Sequence, residues 1–137
     1  MSAIFESRTV SISIDRPLEQ VYAFLAQPEN FRQWASGLGA SLQEIAGGWR
    51  ADTPEGPVTL RFTAPNAFGV LDHYVVLANG DEIYVPLRAL ANGDGCEIVF
   101  TLFRQPAMTD EKFAADSAWV ARDLQTLKSL LEACPLF

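Results

Sequence analysis

The amino-acid sequence predicts an α+β fold in which an antiparallel sheet packs against one long C-terminal helix. Three observations lead to this prediction. Residues 5–14 alternate polar with apolar side chains, turn-forming residues recur at intervals of about ten residues through the middle of the chain, and residues 109–133 carry an apolar stripe at helical spacing.

The size and charge of the chain limit the functions to consider. Its 137 residues match one compact domain, so we expect a single domain over 1–137. The net charge is -7 and the basic residues are scattered, which argues against a nucleic-acid partner and against an anionic membrane surface. No apolar stretch is long enough for a membrane span, and the first residues lack a signal-peptide pattern. We therefore expect a cytoplasmic, soluble protein with no membrane insertion.

The amino-terminal part predicts one strand followed by two short helices. The alternation in residues 5–14 is typical of a half-buried strand. Asp15 then stands where a helix N-cap belongs, and Pro17 falls in the first helical turn. Because Pro28 disfavours helical geometry at the residue before it, this helix should end near Gln27.

The second short helix is expected in the segment 28–36, which Pro28 opens. Phe31 and Trp34 lie three residues apart and so share one face of it. Gly37 and Gly39 should close it.

The middle of the chain predicts a meander of short strands. Turn residues, including the pairs Asn79-Gly80 and Asn92-Gly93, separate the apolar runs. Since Pro86 has no N–H, the strand around it should be a sheet edge there or carry a bulge. With the first strand, the prediction is a sheet of seven strands, of which six are expected near residues 41–46, 49–53, 58–63, 68–77, 82–90 and 96–104.

The longest helical pattern runs from Thr109 to Ala133, with Thr109 as the expected N-cap. Its apolar stripe falls close to one line on a helical projection, so we expect that line to be buried. Trp119 lies on one flank of it. The members of the stripe are Phe113, Val120, Leu124, Leu127 and Leu131.

The order of these strands and helices resembles that of the SRPBCC superfamily, and three segments of the sequence carry the resemblance. They read VSISIDRPLEQVYAFLAQPENFRQWASGL, NAFGVLDHYV and GDGCEIVFTLFRQPAMTDEKF, and together they span nearly the whole chain. The superfamily includes START lipid-transfer domains, the birch pollen allergen family, aromatase/cyclases, and the small bacterial polyketide cyclase/dehydrase-type proteins that this chain resembles most.

The resemblance implies a helix-grip fold, in which a curved antiparallel sheet wraps around the last helix and often leaves an apolar cavity. It leaves three functions open. The first is binding of a small hydrophobic or aromatic molecule in that cavity. The second is an enzyme of the polyketide cyclase/dehydratase kind, and the third is a protein-interaction domain similar to the activators of heat-shock-protein ATPases. Many relatives are dimeric, so a homodimer is compatible with the resemblance.

His73, the single histidine, is the candidate for chemistry. In the run around it, Leu71, His73 and Val75 share one face, which we expect to point inward because the opposite choice would bury Asp72. His73 would then serve as a ligand hydrogen-bond partner or as the general base of the enzyme alternative. The other interpretation is a structural histidine bonded to the backbone or to Tyr84.

The expected ligand-binding residues come from the sheet, the second helix and the last helix. Tyr84 shares its face with polar neighbours and is expected at the rim unless a bulge turns it inward. One histidine without a thiol cluster cannot form a zinc site, so we expect no metal and no cofactor. The expected ligand-binding set is Trp34, Leu71, His73, Val75, Tyr84, Phe100, Trp119 and Leu124.

The remaining candidates have simple structural explanations. Solvent-facing salt bridges with Glu82, Glu97 or Asp52 account most economically for the strand arginines. Cys96 and Cys134 form no recognisable pair in the sequence and should be reduced thiols. The strand arginines are Arg50, Arg61, Arg88 and Arg104.

Overall fold

The computed structural model describes residues 4–36 and 41–133 of the chain. Within these ranges it contains three helices: α1 (Leu18–Leu25), α2 (Phe31–Trp34), which follows a short 3-10 turn at Pro28–Asn30, and α3 (Asp110–Ala133). The strands of the same ranges are β1 (Ser7–Ile14), β2 (Gln43–Ile45), β3 (Gly48–Thr53), β4 (Gly56–Phe62), β5 (His73–Val76), β6 (Glu82–Val85), β7 (Leu87–Asn92) and β8 (Gly95–Phe103).

The α+β class is confirmed, but the expectation of seven strands in one sheet is wrong. The described strands form two antiparallel sheets, with strand orders β1-β8-β7 and β2-β3-β4-β5-β6. Together with the long C-terminal helix, this arrangement is consistent with a helix grip.

Pro86 explains why the predicted strand 82–90 became two strands. β6 pairs with β5, whereas β7 pairs with β8, so the chain changes partner between Val85 and Leu87. Proline has no N–H to donate to a strand ladder, and the Pro86 carbonyl instead accepts a hydrogen bond from the Thr101 N–H at 3.1 Å. The break adds a strand and divides the sheet.

The segment before β5 joins the two sheets. The predicted strand 68–77 forms regular pairing only at His73–Val76. Ahead of it, Val70 makes an isolated antiparallel bridge with Arg88, and the Ala89 N–H donates to the Gly69 carbonyl at 2.9 Å. The left-handed φ of Gly69, 70°, allows this close approach between the two chain segments.

The start of α3 agrees with the sequence prediction, whereas the start of α1 differs from it. The Thr109 hydroxyl accepts the Lys112 N–H at 3.0 Å, so the predicted N-cap of α3 is confirmed. The prediction for Asp15 is wrong, because α1 begins after Pro17, whose position has no side-chain cap. Gly37 and Gly39, expected to close the second helix, lie outside the described residues.

The apolar stripe of α3 is buried, as predicted. Phe113, Leu124, Leu127 and Leu131 are at most 3% exposed, and Val120 is half-buried. The three leucines belong to the main hydrophobic core, which also takes residues from both sheets and from α1 and α2. α3 therefore forms one wall of the interior, facing the strands.

Candidate ligand-binding site

A cavity of about 390 Å³ that is open to solvent on one side is lined by residues of both sheets, α2 and α3. This volume is in the range of cavities that hold small molecules. Most lining side chains are apolar. The apolar residues from the strands and helices include Phe31, Trp34, Val58, Val75, Leu77, Ile83, Val85, Phe100, Leu102, Phe113 and Val120.

His73 lines the cavity and is 4% exposed. Its Nδ1 lies 3.3 Å from the Leu71 carbonyl oxygen, so a proton on Nδ1 would be donated there and Nε2 would keep its lone pair. Burial lowers the pKa of His73 from its ordinary value, which favours the neutral ring near pH 7. The side chain can accordingly act as a polar group without bringing a charge into the cavity.

Aromatic rings surround His73. The Phe31 ring centroid lies 5.9 Å from the imidazole in an edge-to-face arrangement, and the Phe62 centroid lies 5.5 Å away. Phe31 also contacts the Trp34 ring, at 5.1 Å between centroids. These ring contacts fix the imidazole, and Phe31 and Trp34 line the cavity together with His73.

Charged side chains of the cavity are paired with one another or with hydroxyl groups. Lys112 Nζ lies 2.9 Å from the Asp116 carboxylate and 3.9 Å from that of Glu55, an exposed residue. Asp123 accepts a hydrogen bond from the Ser36 hydroxyl at 2.7 Å, and burial raises the pKa of its carboxyl. The exposed members of this group mark the side on which the cavity meets solvent.

Trp119 lies on this solvent-facing side. It is 43% exposed, and its indole N–H donates to the Ser36 hydroxyl at 2.6 Å. Because Ser36 in turn donates to Asp123, a chain of hydrogen bonds links the end of the α2 segment to α3. This chain of bonds holds the segment after α2 against α3 at the cavity rim.

Asp72 is buried, which corrects the expectation that it points to solvent. It is 9% exposed and accepts hydrogen bonds from the Arg88 guanidinium, the Tyr84 hydroxyl at 2.7 Å and the Leu87 N–H at 3.0 Å. The hydrogen bonds from Arg88 and the other donors outweigh desolvation and lower the pKa of Asp72 to about 2. The charge is tolerated because these donors replace the lost water.

The other strand arginines are also paired. Arg61 forms the predicted ion pair with Glu82, and Arg50 lies 3.5 Å from Asp52. Arg88 and Arg104 have partners other than those expected: Arg88 binds Asp72, and Arg104 binds Glu6 and Asp110. None of the four lines the cavity. Cys96 is a free, buried thiol, while Cys134 lies outside the described residues.

Most of the predicted site residues line the cavity, and two lie in the core behind the lining residues. Leu71 and Leu124 are buried in the core and are not lining residues. Tyr84, at the edge of the cavity, is 37% exposed and stacks on Phe103 with 6.2 Å between ring centroids. The predicted residues at the cavity are Trp34, His73, Val75, Tyr84, Phe100 and Trp119.

Sequence reasoning missed several lining residues. Val58 could have been found from the strand alternation that places it with Leu60 on the inner face of β4. The apolar stripe of α3 predicts burial of Phe113 and Val120 but not their place at the cavity, although their spacing of seven residues puts both on the same face. Asp123 carried no signal, because its position depends on how α3 packs on α2.

The described residues contain no group of three or more side chains suited to hold a metal ion. In the same ranges, no helix combines the length and the apolar character that a membrane-spanning helix requires.

Comparisons with known proteins support the fold through structure and not through sequence. No family model matches the chain, and no curated protein matches it. Solved structures do match. DynU16, a protein of the dynemicin biosynthetic locus, aligns with a TM-score of 0.68 and 16% identity over 93% of this chain and 47% of DynU16.

Two further solved structures match over most of their own length. The Aha1 dimer from Colwellia psychrerythraea aligns with a TM-score of 0.71 and 15% identity, over 93% of this chain and 97% of that protein. Ara h 8.0201 aligns with a TM-score of 0.65 and 10% identity, over 94% and 99%. At these identities the matches show the fold alone, and that fold is consistent with the helix-grip arrangement expected from the sequence.

Proposed function

We propose that this protein binds a small hydrophobic or aromatic molecule in the cavity between the strands and α3. The observation that carries the proposal is a cavity of about 390 Å³ whose lining is mainly apolar. A concave apolar surface that is open to solvent is the usual form of a small-molecule site, because a ligand that covers it removes apolar area from water. The structural likeness to DynU16 and Ara h 8.0201 is compatible with a ligand-binding fold.

In this proposal the lining residues have different roles. Val75 and Phe100 supply apolar contact from the strands, and His73 offers a polar group beside Phe31. Trp119 and Tyr84 stand at exposed edges, where a ligand would pass. Leu71 and Leu124 support the wall from behind.

Binding without chemistry is the better-supported role. A general base needs a proton to take and a group that orients it. The Leu71 carbonyl can orient the imidazole of His73, but among the described residues the ring contacts of this imidazole are with Phe31 and Phe62 and not with a second polar group that would act on a substrate. The co-chaperone alternative rests on the likeness to Aha1, which shows a shared fold. A homodimer and the absence of a nucleic-acid partner stay predictions.

A titration with N-phenyl-1-naphthylamine tests the proposal, because this neutral dye becomes fluorescent in apolar surroundings. The wild-type protein should bind it saturably and gain thermal stability, as any ligand that binds only the folded state must cause. Val75→Phe would fill part of the cavity and should weaken binding about tenfold or more.

Val76→Phe is the matched control. Val76 is the next residue of β5, is half-buried and does not line the cavity. The same increase in side-chain size on the opposite face of the strand should leave dye binding unchanged. Equal loss in both variants, or a wild-type protein that does not bind the dye, would overturn the proposal.

A further inference from the structure

One ring nitrogen of His73 has no partner in the protein. The residue lines the cavity and is almost fully buried. Its Nδ1 faces the Leu71 carbonyl oxygen, whereas its Nε2 has no hydrogen-bond partner among the described residues. Nε2 is not one of the unpartnered nitrogen atoms that are closed to solvent in the same ranges, so it belongs to the small exposed part of the side chain. Buried polar side chains normally have their hydrogen bonds satisfied, and this free nitrogen needs an explanation.

The strand register turns the exposed part of His73 toward the cavity. His73 pairs with Phe62 of β4 and with Val85 of β6, and its side chain stands on the same face of β5 as Val75. Val75 and Val85 both line the cavity. Nδ1 turns back to a carbonyl of its own chain segment, which leaves Nε2 at the far end of the ring. Because the cavity is the open space that His73 lines, the accessible Nε2 faces it.

The surroundings of the ring make Nε2 a hydrogen-bond acceptor. The Leu71 carbonyl can only accept, so the contact with Nδ1 at 3.3 Å is favourable when Nδ1 carries the proton and Nε2 keeps its lone pair. Burial favours the neutral ring, and the Phe31 and Phe62 rings pack on it and limit its rotation. The cavity therefore offers a fixed acceptor within a mainly apolar lining.

The charges around the cavity favour an uncharged donor group on the ligand. Three carboxylate residues line the cavity, Glu55, Asp116 and Asp123, and Lys112 pairs with the first two. An anionic ligand would meet this excess of negative charge, and a carboxylate has no proton to donate to Nε2. A cationic group beside the aromatic rings of the cavity and a neutral imidazole would lose its water without gaining a counter-charge.

We propose that the molecule bound in the cavity carries an uncharged hydroxyl group that donates a hydrogen bond to Nε2 of His73. The inference rests on the proposed function and specifies its ligand class: an apolar, ring-containing alcohol or phenol. A hydrocarbon of the same shape would cover Nε2 and exclude water from it without supplying a donor, so its binding would include the cost of an unpaired buried acceptor.

Two naphthalenes of nearly equal shape test this inference. 2-Naphthol carries a hydroxyl group where 2-methylnaphthalene carries a methyl group. His73→Phe keeps an aromatic ring and removes the acceptor, so the ratio of the two affinities should shift about fivefold away from the naphthol relative to the wild-type protein. Because both proteins are measured with the same two compounds, the difference in their solubilities cancels.

Tyr74→Phe is the matched control. Tyr74 is the next residue of β5, its side chain lies on the opposite face of the strand, and it does not line the cavity. This change also removes a polar atom and keeps a ring, and it should leave the affinity ratio at its wild-type value.

A measurement on the wild-type protein keeps the test valid if His73→Phe does not fold. His73 is the single histidine of the sequence, so in a ¹⁵N-labelled sample without a histidine tag its two imidazole nitrogen signals belong to one residue. Nε2 should be the nitrogen without a proton. Its signal should lie further upfield with 2-naphthol bound than with 2-methylnaphthalene bound, as acceptance of a hydrogen bond requires.

Four results would each overturn the inference and leave the proposed function intact. They are an affinity ratio that is the same in His73→Phe and the wild-type protein, an equal shift of the ratio in Tyr74→Phe, a proton on Nε2, and an Nε2 signal at the same position in both complexes. If neither naphthalene nor the fluorescent dye binds, the proposed function fails, and the inference fails with it.

Discussion

The carboxylate of Asp72 and the guanidinium of Arg88 form a two-point ion pair, with Nε to Oδ1 and Nη2 to Oδ2 both at 2.7 Å. Asp72 lies just before β5 and Arg88 lies in β7, so the pair spans the place where the two sheets meet. The Tyr84 hydroxyl and the Leu87 N–H donate to the same carboxylate. A buried charge thus ties together the two sides of the break at Pro86.

This arrangement predicts that Asp72→Asn destabilises the protein at neutral pH. The pKa of Asp72 is lowered to about 2, so the ionised form stabilises the folded state above pH 4 and that contribution is lost as the pH falls toward 2. We expect a loss of about 2 kcal/mol in the free energy of unfolding at pH 7, measured by urea denaturation, and a smaller loss at pH 3.

Asp52→Asn is the control for this prediction. Its side chain is 69% exposed and lies 3.5 Å from Arg50, so the change should cost no more than about 0.5 kcal/mol. If Asp72→Asn were as mild as this control, or if its effect were the same at pH 7 and pH 3, the stabilising role of the buried pair would be refuted.

The buried pair also marks the limit of what could be predicted from the sequence. The alternation in β1 and the apolar stripe of α3 are local patterns, and both predicted the burial that the structure has. The partner of Asp72 lies sixteen residues away and depends on the bridge between Val70 and Arg88. That bridge follows from the change of strand partner at Pro86, and no local pattern carries this information.

The site was predictable to a similar extent. Strand alternation and helical spacing identified which faces of β5 and α3 point inward, and so brought His73 and Val75 to the cavity. They could not separate residues on the cavity surface from residues packed behind it. Leu71 and Leu124 lie on inward faces but are in the core, because alternation shows which way a side chain points and not whether other side chains cover it.

Gly69 should be sensitive to substitution at the join between the sheets. Its φ of 70° is unfavourable for other residues, and a Cβ there would overlap the carbonyl oxygen of Ala89. We expect Gly69→Ala to lower the free energy of unfolding by about 3 kcal/mol, as measured by urea denaturation.

Gly80→Ala separates the clash from the backbone strain. Gly80 also has a left-handed φ, 94°, but a Cβ there meets nothing within 4 Å. The free energy of unfolding of this variant should fall by about 1 kcal/mol. Similar losses for the two variants would mean that the close approach of Gly69 and Ala89 does not matter for stability.

Burial of the single histidine predicts a pH effect of definite sign. Because the folded state lowers the pKa of His73, the neutral ring is favoured in the folded protein and protonation favours unfolding. Wild-type stability should therefore fall, relative to His73→Phe, as the pH drops below the ordinary value of 6.5. Between pH 8 and pH 5.5, the difference in free energy of unfolding between the wild-type protein and His73→Phe, measured by urea denaturation, should change by about 1 kcal/mol. A difference that stays constant would show that His73 titrates as an exposed residue.

The most direct test of the cavity as a binding site is an NMR measurement of which methyl groups contact a bound molecule. Val75 of β5 and Val120 of α3 both line the cavity, whereas Val76 does not. With N-phenyl-1-naphthylamine bound, nuclear Overhauser effects should connect its ring protons to the methyl groups of both Val75 and Val120, and not to those of Val76. Contacts to Val76 without contacts to Val75 and Val120 would place the molecule on the outer face of the sheet and contradict the account.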